Sequence, residues 1–250
     1  MSDWLFDLGN TRLKHAPLGS AAGLGETIAV GHDGEAFADG WLAALPPRID
    51  VAWVASVGPP ALRARLLQAL APRALRVVQA TVQREMGGVR LAYAEPARLG
   101  IDRALAMVAA HARAPGWSLV VGVGTALTVD LVDGDGGHRG GRIAPSPDLM
   151  REVLHARAPH LPRAGGDYAE FGADTGAALA SGCLGAALGL VERSLREAAA
   201  LAGEPARTWL HGGGAAALLP HLAGATHAPS LVIEGLARLA RLARRPPVAG

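Results

Sequence analysis

Asp7-Leu8-Gly9-Asn10-Thr11-Arg12-Leu13-Lys14 (DLGNTRLK, residues 7–14) holds the only asparagine and the only lysine of a 250-residue chain; every other one of its 24 Lys and Arg residues is Arg. Such usage points to a genome that avoids A-rich codons where chemistry allows. Two exceptions four residues apart therefore mark this segment. DWLFD (3–7) and TRLKHA (11–16) flank Gly9-Asn10, a turn signature, which predicts a β-hairpin. A second stretch, SLVVGVGTALTVDLV (118–132), again reads as strand, tight Gly turn, strand. Setting Leu5–Thr11 against Val120–Thr125 aligns two apolar residues, a Gly and a turn into another strand. This is a weak internal repeat, consistent with two similar α/β halves. Two unrelated hairpins would give the same pattern.

Working outward, ETIAVG, DVAWVASVG and LRVVQA read as strands, and PPALRARLLQALAP as a helix opened by Pro and stopped before Pro. A helix is predicted from about Ile101 to Ala112. Beyond the second hairpin come Gly-rich connections, a helix near 147–157, a long Ala-rich helix over about 174–202, the strand RTWLH and two closing helices.

Half of the residues are hydrophobic, enough for a large core. No apolar run approaches the roughly 20 residues that span a bilayer, and the N-terminus does not read as a signal peptide. The single cysteine, Cys183, excludes an internal disulfide and suggests a cytoplasmic protein. Net charge is only +2 and the Arg residues are scattered. The one dense cluster, Arg238, Arg241, Arg244 and Arg245, has the spacing of the wet face of a last helix, so no nucleic-acid partner is expected.

A Gly turn lets backbone N–H groups approach an anion closely, and Asn, Thr and Lys side chains add donors around it. An Asp at the strand end suits hydrated Mg²⁺ beside the same phosphates. The GxxxxGK[ST] signature is missing and a strand follows the turn, so the P-loop and dinucleotide fingerprints both fail on context. An ordinary hairpin with an Asx turn remains the alternative.

Six blocks in order complete the pattern: DLGNTRLK, YAEPARLGIDRA (93–104), GVGTALTVD (122–130), GGRIAPS (140–146), DTGAALASG (174–182) and HGGGAA (211–216). From Asp7 to about Gly235 they resemble the type III pantothenate kinases of the acetate kinase, sugar kinase, Hsp70 and actin superfamily. The resemblance implies an α/β fold of two RNase H-like, actin-like ATPase halves with a cleft between them, here 1–113 and 114–250. It also implies ATP-dependent phosphorylation of pantothenate, in a homodimer. By the same resemblance, Asp7, Leu8, Gly9, Asn10, Thr11, Arg12, Leu13 and Lys14 bind the ATP phosphates, with Asp7 at Mg²⁺, and Thr125 joins them from the second hairpin. Tyr93, Gly100, Ile101, Arg103 and Thr175 fall at pantothenate positions.

Asp102 falls where a loop becomes a helix, whose N-terminus favours the ionised carboxylate of a general base; a helix-capping Asp is its simpler role. Thr175 opens the Ala-rich helix, either reaching a partner subunit's substrate or serving as an N-cap or first-turn residue. A non-catalytic nucleotide-binding accessory factor of the same fold is the alternative function, against which Asp102 and Arg103 argue.

Three positions depart from the family pattern. Ser146 stands for a Gly and His211 for a Thr, both at sites where backbone contacts dominate. Gly122 stands where the family carries an Asp that serves K⁺ or NH₄⁺, which puts the monovalent-cation requirement in question. Arg142 is a candidate to take the cation's place, and Asp130 or ordered water to restore the site.

Overall fold

All six residues of β1 (Asp3–Leu8) are buried, which requires cover on both faces of the sheet they centre. The computed structural model, which describes residues 3–19 and 23–244, provides it. β1 turns into antiparallel β2 (Arg12–Leu18), then β3 (Ile28–Gly31). The strands β4 (Ile49–Ser56) and β5 (Ala74–Gln79), parallel to β1, complete a sheet of order β3-β2-β1-β4-β5. α1 (Pro60–Leu70) links β4 to β5, with Pro60 in the first turn, where a missing N–H costs nothing. Its Leu62, Leu66 and Leu70 pack on Trp4, Phe6 and Leu8. A two-stranded ribbon, β6 (Glu85–Met86) and β7 (Val89–Arg90), precedes α2 (Ile101–Arg113).

The second sheet repeats the first strand for strand. β8 (Ser118–Val123), β9 (Ala126–Val132) and β10 (His138–Pro145) form an antiparallel meander. α3 (Pro147–Arg157) and α4 (Thr175–Ala202) follow it; then come β11 (Arg207–His211), α5 (Ala215–Leu218) and β12 (Ala225–His227). The order is β10-β9-β8-β11-β12, with β8, β11 and β12 parallel. Leu119, Val121 and Val123 pack on Ala187, Leu188 and Val191 of α4. The weak repeat of two hairpins is thus a repeat of whole sheets.

The chain divides into two compact units. One runs to Arg113 and resumes at Ser230; the other is Ala114–Pro229. The sequence reading assigned everything after 113 to the second half. The last helix, α6 (Leu231–Ala243), instead packs on α2, and for a visible reason. A Cβ at Gly235 would lie 2.6 Å from the carbonyl carbon of Leu105, so glycine alone lets the two helix backbones touch. Arg244 then pairs with the buried Asp3 at the start of β1, whose carboxylate also accepts from Trp53 Nε1 at 3.0 Å.

The described arginines of the C-terminal cluster are likewise not a free wet face: Arg238 donates to Gly87 O and Arg241 to Gly23 O, each at 3.0 Å. Arg245 lies outside the described residues.

Strand β10, read from sequence as Gly-rich connection, is the largest local difference. Its ladder with β9 uses backbone groups that need no side-chain pattern, and a register shift between His138 and Gly141 accommodates Gly140 at φ +104°. β6, β7 and β12 are too short to show a period. α4 also departs from the expectation that no apolar run reaches membrane-spanning length. By length and composition it qualifies, with mean hydropathy 1.4 over an 18-residue window of which 28% is buried.

His15 on β2 sits in the core between Trp4 and Phe6, fully buried, and neither ring nitrogen has a hydrogen-bond partner among the described residues. Burial lowers its pKa below the usual value. The folded state therefore holds the neutral ring, and stability is lost as pH falls through the unfolded value near 6.5. His15→Leu is expected to stabilise the protein by about 1–3 kcal/mol, the cost of an unpartnered buried polar group, and to flatten that slope. Thermal melts of both proteins between pH 8 and pH 5 check it.

Candidate functional site

The site begins at the closed end of the first hairpin. Leu8 and Leu13 face each other across it, both fully buried, and Leu8 O also accepts from Val57 N and Gly58 N, each at 3.0 Å. Gly9 N donates to Arg12 O at 3.0 Å to close the turn, leaving Asn10, Thr11 and Arg12 exposed at its tip. One step back along the strands, Asp7 pairs in register with Lys14 on β2 and Ala55 on β4. Lys14 is thus not merely near Asp7 in sequence; strand pairing fixes it alongside.

Asp7 is buried, at 8% relative exposure. Desolvation pushes its carboxyl up to about 7; Lys14 opposes the shift and Asp102 adds to it by repulsion. A carboxylate this perturbed, by burial and by a like charge, is a mark of a functional site.

Asp102 lies in the first turn of α2. Gly100 makes room for it, since a Cβ there would meet Asp102 Oδ1 at 2.5 Å. The next residue, Arg103, is buried and donates from Nη1 to the Tyr93 hydroxyl at 3.2 Å, its guanidinium 5.9 Å from the ring centroid. The Tyr93 segment is held in turn by Arg84, which donates to Tyr93 O at 3.3 Å and to Ala94 O at 2.8 Å. Ile101 is buried in the helix face. One unit therefore carries Asp7, the hairpin, Lys14 and Asp102, together with the Tyr93–Arg103 pair.

The remaining two expected site residues belong to the other unit. Thr125 is exposed at the second turn, where Gly124 N donates to Ala126 O at 2.9 Å. Thr175 is the exposed first residue of α4; the cap is its neighbour Asp174, whose Oδ1 accepts from Ala177 N at 2.9 Å. Ser146 is the N-cap of α3, accepting from Leu149 N at 3.2 Å.

The sheet repeat makes Gly122 the counterpart of Asp7: it pairs with Thr128 on β9 and His211 on β11, as Asp7 pairs with Lys14 and Ala55. The space that a side chain at 122 would enter is filled. A Cβ there would lie 2.7 Å from Thr128 Oγ1 and 3.0 Å from His211 Nε2. His211 is the residue the sequence reading passed over as a backbone position. Extending the repeat alignment from the hairpins to β4 and β11 would have exposed it.

Arg142 donates to Ser194 Oγ on α4, and Asp130 accepts from the His138 ring at 3.2 Å within the core. Behind His211, Gly214 N donates to Val123 O at 3.0 Å, so the glycine loop lies directly against the end of β8. No cluster of three or more His, Cys, Asp or Glu side chains able to hold a metal occurs among the described residues.

A family model for type III pantothenate kinase matches residues 4–197. A type III pantothenate kinase from Xanthomonas axonopodis pv. citri is 52% identical over 249 residues, covering 98% of this chain and 100% of its own. One from Stenotrophomonas maltophilia is 53% identical over 245 residues, covering 96% and 98%. Among solved structures, an archaeal actin homologue shares the fold at TM-score 0.52 and 9% identity, over 97% of this chain and all of its own. The two mixed five-stranded sheets are those of the actin-like ATPase fold, and the chain belongs to the type III pantothenate kinases.

Proposed function

We propose that the protein transfers the γ-phosphoryl group of ATP to the hydroxyl of pantothenate, giving 4′-phosphopantothenate, the first step of coenzyme A biosynthesis. The observation that carries this reading is the register that sets the buried Asp7 carboxylate beside Lys14 at the base of the first glycine turn. Family membership at about half identity over nearly the whole chain supports it. Nothing in the site favours the accessory-factor reading, which gives Asp102 and the Arg103–Tyr93 pair no task.

Asp7 is the residue that suits Mg²⁺: a cation beside it relieves the desolvation and repulsion that raise its pKa. Bound with ATP, the ion neutralises phosphate charge. The hairpin from Leu8 to Leu13 presents backbone N–H groups and the Asn10, Thr11 and Arg12 side chains to the phosphates. Lys14 adds a compact charge, and Thr125 a hydroxyl from the second hairpin.

Asp102, in the first turn of α2, accepts the proton of the attacking hydroxyl. Arg103 and Tyr93 hold polar groups of pantothenate; Gly100 and Ile101 shape the approach, and Thr175 is the residue offered toward a second subunit. A homodimer is the assembly we propose, on the strength of the mostly unburied apolar α4 and the exposed Val153 and Leu154 of α3 beside it. The same dimer interface would occupy the apolar face of α4 in a cytoplasmic protein without membrane or nucleic-acid partners.

A monovalent cation does not fit the place of Gly122. The family's carboxylate is absent there and the space holds the His211 ring and Thr128 hydroxyl. Introducing Asp at 122 alone would collide with both groups, so a cation site has to be built by pairing Gly122→Asp with His211→Ala.

The proposal is tested by incubating purified protein with pantothenate, ATP and Mg²⁺ and detecting 4′-phosphopantothenate by mass spectrometry; no product would refute it. Asp102→Asn is expected to lower turnover by about 10² to 10⁴ while leaving ATP affinity nearly unchanged, and near-normal turnover would remove Asp102 from the base role. In KCl titrations at constant ionic strength, activity without K⁺ or NH₄⁺ is expected to stay at a substantial fraction of its maximum. An enzyme inactive without K⁺ and saturating at low millimolar K⁺ would contradict the reading of Gly122 and His211.

A further inference from the structure

The first hairpin is held from outside by a residue with no place in the mechanism above. β3 runs antiparallel to β2 with Gly31 opposite Arg12, so the chain leaves β3 beside the hairpin tip. The next residue, His32, turns back and its Nε2 lies 3.0 Å from Gly9 O. A carbonyl can only accept, so Nε2 carries the proton and donates.

The ring is fixed by its surroundings. It meets Phe37 edge to face, with centroids 6.1 Å apart at 89°, and Phe37 packs in turn on Trp41. His32 and Phe37 also form an isolated antiparallel bridge. Between them Asp33 Oδ1 accepts from Glu35 N at 2.8 Å and Ala36 N at 2.7 Å, and Ala38 N donates to Gly31 O at 3.0 Å. The loop is therefore a rigid mount. The other ring nitrogen, Nδ1, is buried with no hydrogen-bond partner among the described residues, a cost that the single bond to Gly9 has to justify.

That bond controls a peptide plane. Gly9 N is already committed to Arg12 O, and Gly58 lies close against Gly9 O, where a Cβ would meet it at 2.6 Å. In a planar trans peptide the carbonyl and the following N–H point in opposite directions. Holding Gly9 O toward His32 therefore turns the Asn10 N–H away from β3, to the opposite side of the turn. Without the bond, the Gly9–Asn10 peptide is free to rotate about the permissive glycine.

We propose that His32 is a positioning residue of the phosphate hairpin: through Gly9 O it orients the Gly9–Asn10 peptide so that the Asn10 N–H is presented to the nucleotide phosphates. This rests on the reading of the hairpin as the ATP phosphate segment. Any residue delivering one donor to the Nε2 position serves the same purpose.

Two substitutions separate this role from simple packing. His32→Gln places its amide nitrogen where Nε2 stands, whereas His32→Asn falls short of Gly9 O. ATP binding is measured by calorimetry without pantothenate, and KM for each substrate by steady-state assay, alongside thermal melts. His32→Asn is expected to weaken ATP binding and raise KM for ATP by about 3- to 10-fold, the effect of one hydrogen bond, with KM for pantothenate unchanged. His32→Gln is expected to restore most of that loss. If both variants match wild type in ATP affinity, or both lose it equally while melting lower, the inference is wrong and His32 only packs. Wild-type protein that binds no ATP would overturn the kinase reading and this inference together.

Discussion

Ionising Asp7 is unfavourable in the free protein. It occupies the second-to-last position of a strand whose six residues are all buried, so its charge is stripped of water, and Asp102 raises the cost further. Lys14 only partly offsets this. A carboxyl held near 7 makes the folded state bind more protons than the unfolded chain. Stability therefore falls as pH rises from about 4 toward 7, and stays low above it. On the function proposed above, a cation and a polyphosphate would complete the charge balance at that spot. Lys14 on the same rung, the glycine turn beyond it and Asp102 on α2 are all arranged around that one carboxylate.

The two sheets share order and direction, yet the equivalent positions have diverged. In the first, a carboxylate and an ammonium face each other across the hairpin. In the second, Gly122 and Thr128 stand in those places, and an imidazole reaches over from β11. Gly122 and His211 are coupled by volume: a side chain at one displaces the other. A single departure from the family pattern at 122 is therefore half of a pair, and its meaning depends on residue 211.

Much of this was legible in the sequence because the hairpins carry strong local signals. The glycine turns and the flanking apolar residues identify both strand–turn–strand units, and the isolated Asn10 and Lys14 mark the segment proposed to hold the phosphates. Helices α1, α2, α3 and α4 followed from proline starts and apolar spacing. What stayed hidden depends on contacts distant in sequence. α6 joins the first unit through Gly235 against Leu105 and through Arg244 against Asp3, neither of which leaves a local mark. β10 is recognised mainly by its backbone ladder with β9, joined by the His138–Asp130 pair. His32 reaches Gly9 across 23 residues of chain, a separation that leaves no local mark in the sequence. His211 was visible as a residue and misjudged, because its partner in space, Gly122, lies on a strand far from it in sequence.

The central claim is that Asp7 is costly to the free protein and is relieved by metal and nucleotide. It is tested most directly by thermal melts of wild type and Asp7→Asn at pH 8, each alone, with ATP and EDTA, and with ATP and Mg²⁺. The account predicts that Asp7→Asn melts higher than wild type when free, and that Mg²⁺ with ATP raises the wild-type midpoint well beyond ATP with EDTA. It also predicts that this Mg²⁺-dependent gain is lost in the variant. An Asp7→Asn protein that melts lower when free and gains as much from Mg²⁺ and ATP as wild type would contradict it.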